Sequence, residues 1–325
     1  MKKVAVVGSG KWGTNLARNF LSLGALEVIC EISAERAREL QKLFPGVPIC
    51  DNVDSILSKS TIEGVVVATP PFHHYEVAVK ALRAGKHLFV EKPMTIDPGE
   101  SEKLIEEAGT RAKVLMVGHI LLYHPAYAAL DEVVKRGDLG EICSLHAQRI
   151  GFGRARKEED ALFSLAPHDI SVMISLFNEQ PCALSCVGMS YLNSGIADMA
   201  HLHLMFSGQK FGHIHVSWLS PEKVRQHTVV GTRKMAKVDE VSGPKGTLTV
   251  FDRHIDGVTL AHHNGSAVTI EIPDKEPLLE ECRHFLEAME HGSTPRSDGH
   301  QGLTVVKILN LAKESMERRG EWIAL

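Results

Sequence analysis

The tripeptide Glu91-Lys92-Pro93 places a lysine directly after an apolar run, His87-Leu88-Phe89-Val90. Such a run predicts a buried strand, and in an open α/β sheet ligands bind beyond the carboxyl ends of the strands. A lysine at this point can reach a bound substrate. The alternative is an ordinary solvated loop residue, since most lysines are exposed. Which of the two applies depends on whether the preceding chain builds a cofactor site.

A glycine-rich segment, Gly8-Ser9-Gly10-Lys11-Trp12-Gly13, lies between the β-branched run Val4-Ala5-Val6-Val7 and a helix-like segment, residues 14–23. The G-x-G-x-x-G spacing allows a tight turn, a close approach of backbone amides to a pyrophosphate, and close packing of the helix on the strand. The helix amino terminus adds partial positive charge. We therefore expect residues 8–13 to bind a dinucleotide cofactor.

Glu31 follows the second predicted strand, Leu26-Glu27-Val28-Ile29-Cys30. An acidic residue at this distance accepts hydrogen bonds from the adenosine ribose and repels a 2′-phosphate, which favours NAD over NADP. Because Arg36 and Arg38 are nearby, the alternative that Glu31 merely begins a loop stays open. Thr69-Pro70 follows a further predicted strand and is expected to flank the cofactor, with a simple turn as the alternative.

Strands and helices alternate through the first 120 residues, which predicts a parallel sheet and an α/β fold. A chain of 325 residues is long for one hydrophobic core, so two domains are expected. The net charge of −4 provides no broad basic surface for nucleic acid. No apolar run approaches the roughly 20 residues of a membrane span, and we expect a cytoplasmic protein. The six cysteines lack a CxxC pair, which is typical of reduced thiols and indicates no metal site.

Taken together, these segments resemble the glucose–fructose oxidoreductase, inositol dehydrogenase and MocA-like oxidoreductase family. The resemblance covers the whole chain and is carried by five ordered motifs: residues 8–13; Ala68-Thr69-Pro70-Pro71 with His74; residues 84–87 leading into Glu91-Lys92-Pro93; residues 137–142; and Leu165-Ala166-Pro167-His168-Asp169. It implies an N-terminal Rossmann domain, residues 1–121, and a C-terminal α+β domain with a large, mostly antiparallel sheet, residues 122–325. It also implies a homodimer or homotetramer, and cofactor contacts from Thr69, His74, Glu91 and Lys92.

The same resemblance implies the chemistry. Oxidation of an alcohol by NAD needs a group that takes the hydroxyl proton, a role suited to histidine. By resemblance, His168 is this acid/base residue and Lys92 hydrogen-bonds the reacting oxygen, favouring its alkoxide form. Many relatives have Asp or Asn four residues earlier, whereas this chain has Ser164, which can orient His168 or substrate only through its hydroxyl or a water.

The segments 148–171 and 217–225 resemble the branch of the family that oxidises UDP-N-acetylglucosamine or its uronate at C3. A UDP-linked hexose is therefore the expected substrate, with a free sugar or cyclitol, or a non-catalytic NAD-binding regulator, as alternatives. Guanidinium groups match phosphate oxygens, so the candidate diphosphate contacts are Arg149, Arg154, Arg156, Lys223 and Arg225, unless these charges merely solvate the surface. Tyr123 is expected either to line the sugar pocket or to pack in the core.

A second group of histidines comprises His201, His203, His213 and His215. If residues 202–206 and 211–218 pair as a hairpin, the alternation of side chains puts each pair on one face of the sheet. Four imidazoles could then bind zinc. The alternative is a polar sheet face or a subunit interface, because the turn alone does not fix the register. We expect no metal.

Overall fold

The computed structural model describes residues 2–153, 155–157, 159–243 and 245–325. These residues form two compact units. The first comprises the chain up to Ile120 together with Glu276–Val306, and the second comprises Leu121–Lys275 and Lys307–Leu325. The division into domains 1–121 and 122–325 stays a prediction; the units differ from it in assigning Glu276–Val306 to the N-terminal part.

The strands follow one another along the chain as β1 Val4–Val7, β2 Leu26–Cys30, β3 Ile49–Cys50, β4 Gly64–Val67, β5 His87–Glu91, β6 Leu115–Gly118, β7 Ile142–Phe152, β8 Ala183–Met189, β9 Met199–Met205, β10 Phe211–Ser217, β11 Leu219–Gly231, β12 Met235–Asp239, β13 Thr247–Ile255, β14 His262–Ile270 and β15 Ile323–Ala324. The α-helices are α1 Lys11–Ser22, α2 Ala34–Leu43, α3 Val53–Leu57, α4 His74–Arg83, α5 Pro98–Thr110, α6 Pro125–Lys135, α7 Ala161–Phe177, α8 Pro277–His291 and α9 Gly299–Glu317.

Within the described residues of the first unit, β1 to β6 form a parallel sheet in the order β3-β2-β1-β4-β5-β6. Every residue of β1 and β4 is buried, as expected for central strands that are covered on both faces. Helix α8 packs through Phe285, whose ring centroid lies 6.3 Å from that of Phe20 and 5.7 Å from that of Phe89. This sheet confirms the predicted Rossmann fold, and its carboxyl edge brings together the loops that follow β1, β2, β4, β5 and β6.

In the second unit, the described strands β7 to β15 form one mixed sheet in the order β14-β13-β12-β11-β7-β10-β9-β8-β15. Its neighbouring strands are antiparallel except for β7 and β10, which run parallel. The predicted large, mostly antiparallel sheet is therefore confirmed. Helix α7 lies against β7, β9 and β10, so its side chains are positioned by the centre of the sheet. Among the described residues, no helix combines the length and apolarity that crossing a bilayer requires.

Candidate functional site

The glycines of the loop between β1 and α1 differ in what the fold requires of them. Gly8 has a φ of 87°, and a Cβ on it would lie 2.7 Å from the backbone nitrogen of Thr69. A Cβ on Gly13 would lie 2.0 Å from the carbonyl oxygen of Gly8. By contrast, apart from Gly10 itself and its two chain neighbours, no described atom lies within 4 Å of the position that a Cβ on Gly10 would take. This open space at the amino terminus of α1 fits a pyrophosphate, which accepts hydrogen bonds from backbone amides there.

The two substitutions Gly13→Ala and Gly10→Ala should therefore separate folding from cofactor binding. We expect Gly13→Ala to lower the free energy of unfolding by about 3 kcal/mol or more, because backbone atoms must move to admit the methyl group. Gly10→Ala should lower it by less than about 1 kcal/mol but weaken NAD binding, because the methyl group occupies the pyrophosphate's path. Urea unfolding and NAD titration measure the two effects. Equal destabilisation of both variants would contradict this interpretation.

Glu31, one residue beyond β2, is hydrogen-bonded to the glycine-rich loop. One carboxylate oxygen accepts from the backbone N–H of Ser9 at 3.2 Å and from the Ser9 hydroxyl, and the other accepts from the N–H of Ser33 at 2.9 Å. Arg36 lies beside the same loop, where Nε donates to the Ser9 carbonyl at 3.0 Å and Nη2 donates to the Thr14 hydroxyl at 2.7 Å. The adenosine end of a dinucleotide bound here would meet both a negative and a positive group.

The end of β5 is hydrogen-bonded to the same loop through Glu91. The indole N–H of Trp12 and the backbone N–H of Lys92, the latter at 3.2 Å, donate to the Glu91 carboxylate. Burial raises the pKa of Glu91 to about 8, although the charge of Lys92 and these hydrogen bonds act in the opposite direction. Glu91 itself is buried and Lys92 is half-buried. Glu91 therefore acts as an internal link, and Lys92 is the group of this pair that remains accessible.

His74 connects two loops at the carboxyl edge of the sheet. Its Nδ1 lies 2.8 Å from the carbonyl oxygen of Pro93, and its Nε2 lies 2.9 Å from the carbonyl oxygen of Thr69. Burial lowers the pKa of the imidazole, against the effect of the two carbonyls. With both nitrogens facing protein carbonyls and only 1% of the residue exposed, His74 positions the loops that carry Thr69-Pro70 and Lys92-Pro93. This arrangement differs from the direct cofactor contact expected from the sequence.

Two further buried residues of this unit carry polar groups that sequence reasoning missed. His119, directly after β6, is 0% exposed, and burial together with the charge of Lys92 lowers its pKa to about 3. Glu281 on α8 is also 0% exposed, and burial and the Glu91 carboxylate raise its pKa well above the ordinary value. A signal for Glu281 exists, because it shares a helical face with buried Leu278 and Phe285. Burial therefore disfavours the charged form of both side chains.

In the second unit, His168 and Ser164 lie one turn apart on α7 and therefore share a face of the helix. His168 is half-buried and Ser164 is 6% exposed. The helix begins at a capping residue, Asp160, whose carboxylate accepts from the N–H of Phe163 at 2.8 Å. Tyr123 is 5% exposed, which favours core packing over a place in an open sugar pocket.

Arg149 has different partners from the diphosphate expected from the sequence. Its Nε lies 3.0 Å from each carboxylate oxygen of Asp169, and its Nη2 lies 2.9 Å from Oδ1. On the other side, Nη1 and Nη2 donate to Glu240 at 3.2 and 2.7 Å. The residue is 5% exposed. Since two internal carboxylates occupy its guanidinium group, we withdraw Arg149 as a candidate substrate contact.

The other candidate phosphate contacts differ in whether their charged groups are exposed or hydrogen-bonded within the protein. Arg156 is paired with Glu159 and keeps 57% of its side chain exposed. Nη1 of Arg225 donates to the carbonyl oxygens of Ile150 and Val224 at 2.8 and 2.9 Å, and Lys223 is exposed. Arg154 lies outside the described residues. Arg156 and Lys223 are therefore the candidates in the described chain that keep accessible charges.

The histidine group lies on one face of the second sheet. His213 is opposite His203, and His215 is opposite His201, across the antiparallel pair β9 and β10. The rings of His201 and His215 stack with centroids 4.2 Å apart, and those of His203 and His213 with centroids 5.0 Å apart. Burial lowers the pKa of His213 to about 4. Within the described chain, no group of three or more His, Cys, Asp or Glu side chains is arranged to hold a metal ion.

Two family models match the chain in succession. Residues 2–119 match an oxidoreductase family with an NAD-binding Rossmann fold, and residues 127–237 match the GFO/IDH/MocA C-terminal domain. These matches and the glycine-rich loop define an oxidoreductase with a Rossmann domain that binds a nicotinamide dinucleotide. The chain belongs to the GFO/IDH/MocA family, and it is an oxidoreductase acting on CH–OH groups.

Characterised proteins of the family resemble the chain over most of its length. A UDP-N-acetylglucosamine 3-dehydrogenase of Acidithiobacillus ferrooxidans is 26% identical over 94% of both chains, and its solved structure matches with a TM-score of 0.87 over 97% of both chains. An NADP-dependent scyllo-inositol 2-dehydrogenase of Bacillus subtilis is 23% identical over 98% of this chain and 94% of its own. A levoglucosan dehydrogenase solved with NADH shares the fold with a TM-score of 0.86 over 99% of both chains, at 19% identity.

Proposed function

We propose that this protein is an NAD-dependent dehydrogenase that oxidises a secondary hydroxyl of a sugar, most specifically C3 of a UDP-linked hexose. The observation that carries the proposal is the 26% identity to a UDP-N-acetylglucosamine 3-dehydrogenase over 94% of both chains. The site residues support it, because the open space at Gly10 accommodates a pyrophosphate at a helix amino terminus. Bound NAD would supply the hydride acceptor.

Five side chains have assigned roles in the proposed reaction. Lys92, accessible after β5, hydrogen-bonds the reacting oxygen, and its positive charge favours the alkoxide-like transition state. His168, half-buried on α7, accepts the hydroxyl proton as a general base. Ser164, one turn away on the same face, orients His168 or the substrate through its hydroxyl group. Arg156 and Lys223 are the proposed contacts for the diphosphate.

The choice of NAD over NADP rests on Glu31. Its carboxylate is held by Ser9 and Ser33 at the edge of the loop, where it would accept hydrogen bonds from the ribose and repel a 2′-phosphate. We expect Glu31→Gln to raise the ratio of kcat/KM for NADP to that for NAD by about tenfold or more, because one such contact is worth about 1.4 kcal/mol. Glu39→Gln, which removes a nearby exposed carboxylate on α2, is the control. A wild type that prefers NADP would contradict the assignment.

Thermal shift with candidate ligands tests the substrate class. Wild-type protein saturated with NAD should be stabilised further by UDP and by UDP-N-acetylglucosamine, since a ligand at about 100 times its Kd contributes about 2.7 kcal/mol. NADH absorbance should then appear with the UDP-sugar. Stabilisation and turnover with inositol or glucose alone would favour the alternative, a cyclitol or free-sugar dehydrogenase. The scyllo-inositol 2-dehydrogenase of Bacillus subtilis is a relative with that kind of substrate. NAD binding without turnover of any sugar would favour a regulator.

The proposed assembly is a homodimer or homotetramer. The family resemblance motivates this proposal, and the histidine-bearing face of β9 and β10 is a candidate contact surface. Sedimentation equilibrium of the purified chain at neutral pH should give two or four times the mass of the monomer. A monomer at micromolar concentration would contradict it.

A further inference from the structure

The turn of α7 that presents His168 contains a proline, Pro167. Pro167 lies inside the helix, immediately before His168. Proline has no N–H, so the bond that would join this position to the carbonyl of Phe163 is absent, and the ring crowds that carbonyl. The backbone of the helix alone therefore holds this turn less firmly than a regular helix would, at the position where a catalytic side chain needs a fixed direction.

The next residue along the helix is anchored to two adjacent strands of the sheet. Asp169 is 0% exposed, and its carboxylate accepts hydrogen bonds from Arg149 on β7. Nε of Arg149 lies 3.0 Å from each carboxylate oxygen, and Nη2 lies 2.9 Å from Oδ1. Nε2 of His227 on β11 lies 3.2 Å from Oδ1. Because the contacts reach both carboxylate oxygens from two strands, they fix the orientation of Asp169 as well as its distance from the sheet.

The charge of this anchor is balanced inside the protein. Burial by itself raises the pKa of Asp169, but the Arg149 charge and the hydrogen bond with His227 outweigh it and leave the pKa well below the ordinary value. Glu240, on the far side of the guanidinium, provides a second negative charge. A buried ion pair often stabilises the folded protein no more than well-packed apolar residues would. A gain in folding stability alone therefore does not explain the pair of Asp169 and Arg149. What the pair adds is a defined orientation.

Adjacent helical residues project about 100° apart, so the direction of Asp169 sets the direction of His168. The outer atoms of helical side chains lie roughly 5–6 Å from the axis, and a rotation of about 10° moves them by about 1 Å. A displacement of that size at a reacting group reduces turnover by about 100-fold. A small loss of rotational restraint on α7 is therefore enough to impair proton transfer.

We propose that Asp169 and Arg149 are positioning residues, which fix the rotation of α7 and thereby aim the His168 imidazole at its substrate. The inference rests on the proposed function, in which His168 is the general base. It distinguishes Asp169 from Glu240: both carboxylates bind Arg149, but Asp169 alone of the two lies on the helix that carries His168.

The pair Asp169→Asn and Glu240→Gln tests this distinction. Each variant removes one negative charge next to Arg149, and both should lower the unfolding midpoint in urea. With NAD and substrate saturating, Asp169→Asn should lower kcat by about 100-fold, whereas Glu240→Gln should stay within about threefold of wild type. Arg149→Lys keeps the charge but loses the planar fork, and it should lower kcat by at least tenfold; it also serves if Asp169→Asn does not fold. Equal kcat in Asp169→Asn and Glu240→Gln would overturn the proposal.

A double-mutant cycle with His168→Ala measures whether Asp169 lowers the rate through His168 or independently of it. A purely structural role of Asp169 would lower the rate whether or not His168 is present. If Asp169 acts through His168, Asp169→Asn should lower the residual single-turnover rate of His168→Ala by less than threefold. A further 100-fold loss in the double variant would show that Asp169 acts independently and would overturn the proposal. The proposed function fails separately, if His168→Ala is as active as wild type or if no sugar is oxidised.

Discussion

Replacement of Lys92 by alanine is expected to lower kcat by about 10²- to 10³-fold with NAD and the sugar both saturating. The ammonium group of half-buried Lys92 lies at the end of β5 and interacts with two buried side chains, Glu91 and His119, whose charged forms burial disfavours. Burial raises the pKa of Glu91 to about 8 and, with the Lys92 charge, lowers that of His119 to about 3. A positive charge in such surroundings interacts strongly with a developing alkoxide. Stopped-flow NADH absorbance measures the loss in the hydride-transfer step.

Lys80→Ala is the matched control for this variant. Lys80 lies on α4 of the same unit and makes an exposed pair with Glu76 at 3.3 Å, so its loss should change stability and turnover little. Lys92→Arg keeps the charge but changes its geometry, and it should recover only part of the activity. If Lys92→Ala turns over at the wild-type rate under saturation, the assigned role is wrong.

Replacement of His168 by alanine is expected to lower kcat by about 10²- to 10⁴-fold, the usual contribution of a positioned general base. A histidine base works in its unprotonated form, so wild-type kcat/KM should fall on the acid side of its optimum. This fall should disappear in the variant, because no imidazole remains to be protonated. NAD binding should be unchanged, since His168 belongs to α7 of the second unit and the glycine-rich loop to the first.

His262→Ala is the control for the histidine substitution. His262 is an exposed residue at the start of β14 in the same unit, and its loss should leave both kcat and the pH profile unchanged. Ser164→Asp offers a complementary variant, since it places a carboxylate four positions before His168, as the family resemblance leads one to expect. If kcat/KM of His168→Ala still fell on the acid side of its pH optimum, another residue would have to be the base.

Much of the first unit is predictable because its signals are local. The alternation of short apolar strands with helices, and the glycines between β1 and α1, determine a parallel sheet whose carboxyl edge holds residues 8–13, Glu31 and Glu91-Lys92. The structure confirms these elements with boundaries close to those expected from the sequence. The position of Lys92 at a strand end follows from its neighbours in the chain, so no long-range contact is needed to place it.

By itself, then, the sequence determined the class of fold and the glycine-rich loop, since each depends on a short pattern. The roles of Lys92 and His168 follow from the family resemblance and stay predictions. Tertiary structure alone decided what partners those residues have. Whether Arg149 faces a substrate or is neutralised depends on Asp169 of α7, 20 residues away along the chain, and on Glu240, 91 residues away. Likewise, His74 became a link between loops because folding placed two carbonyls beside its ring. Burial and ion pairing are properties of the space around a side chain, and residue type does not encode that space.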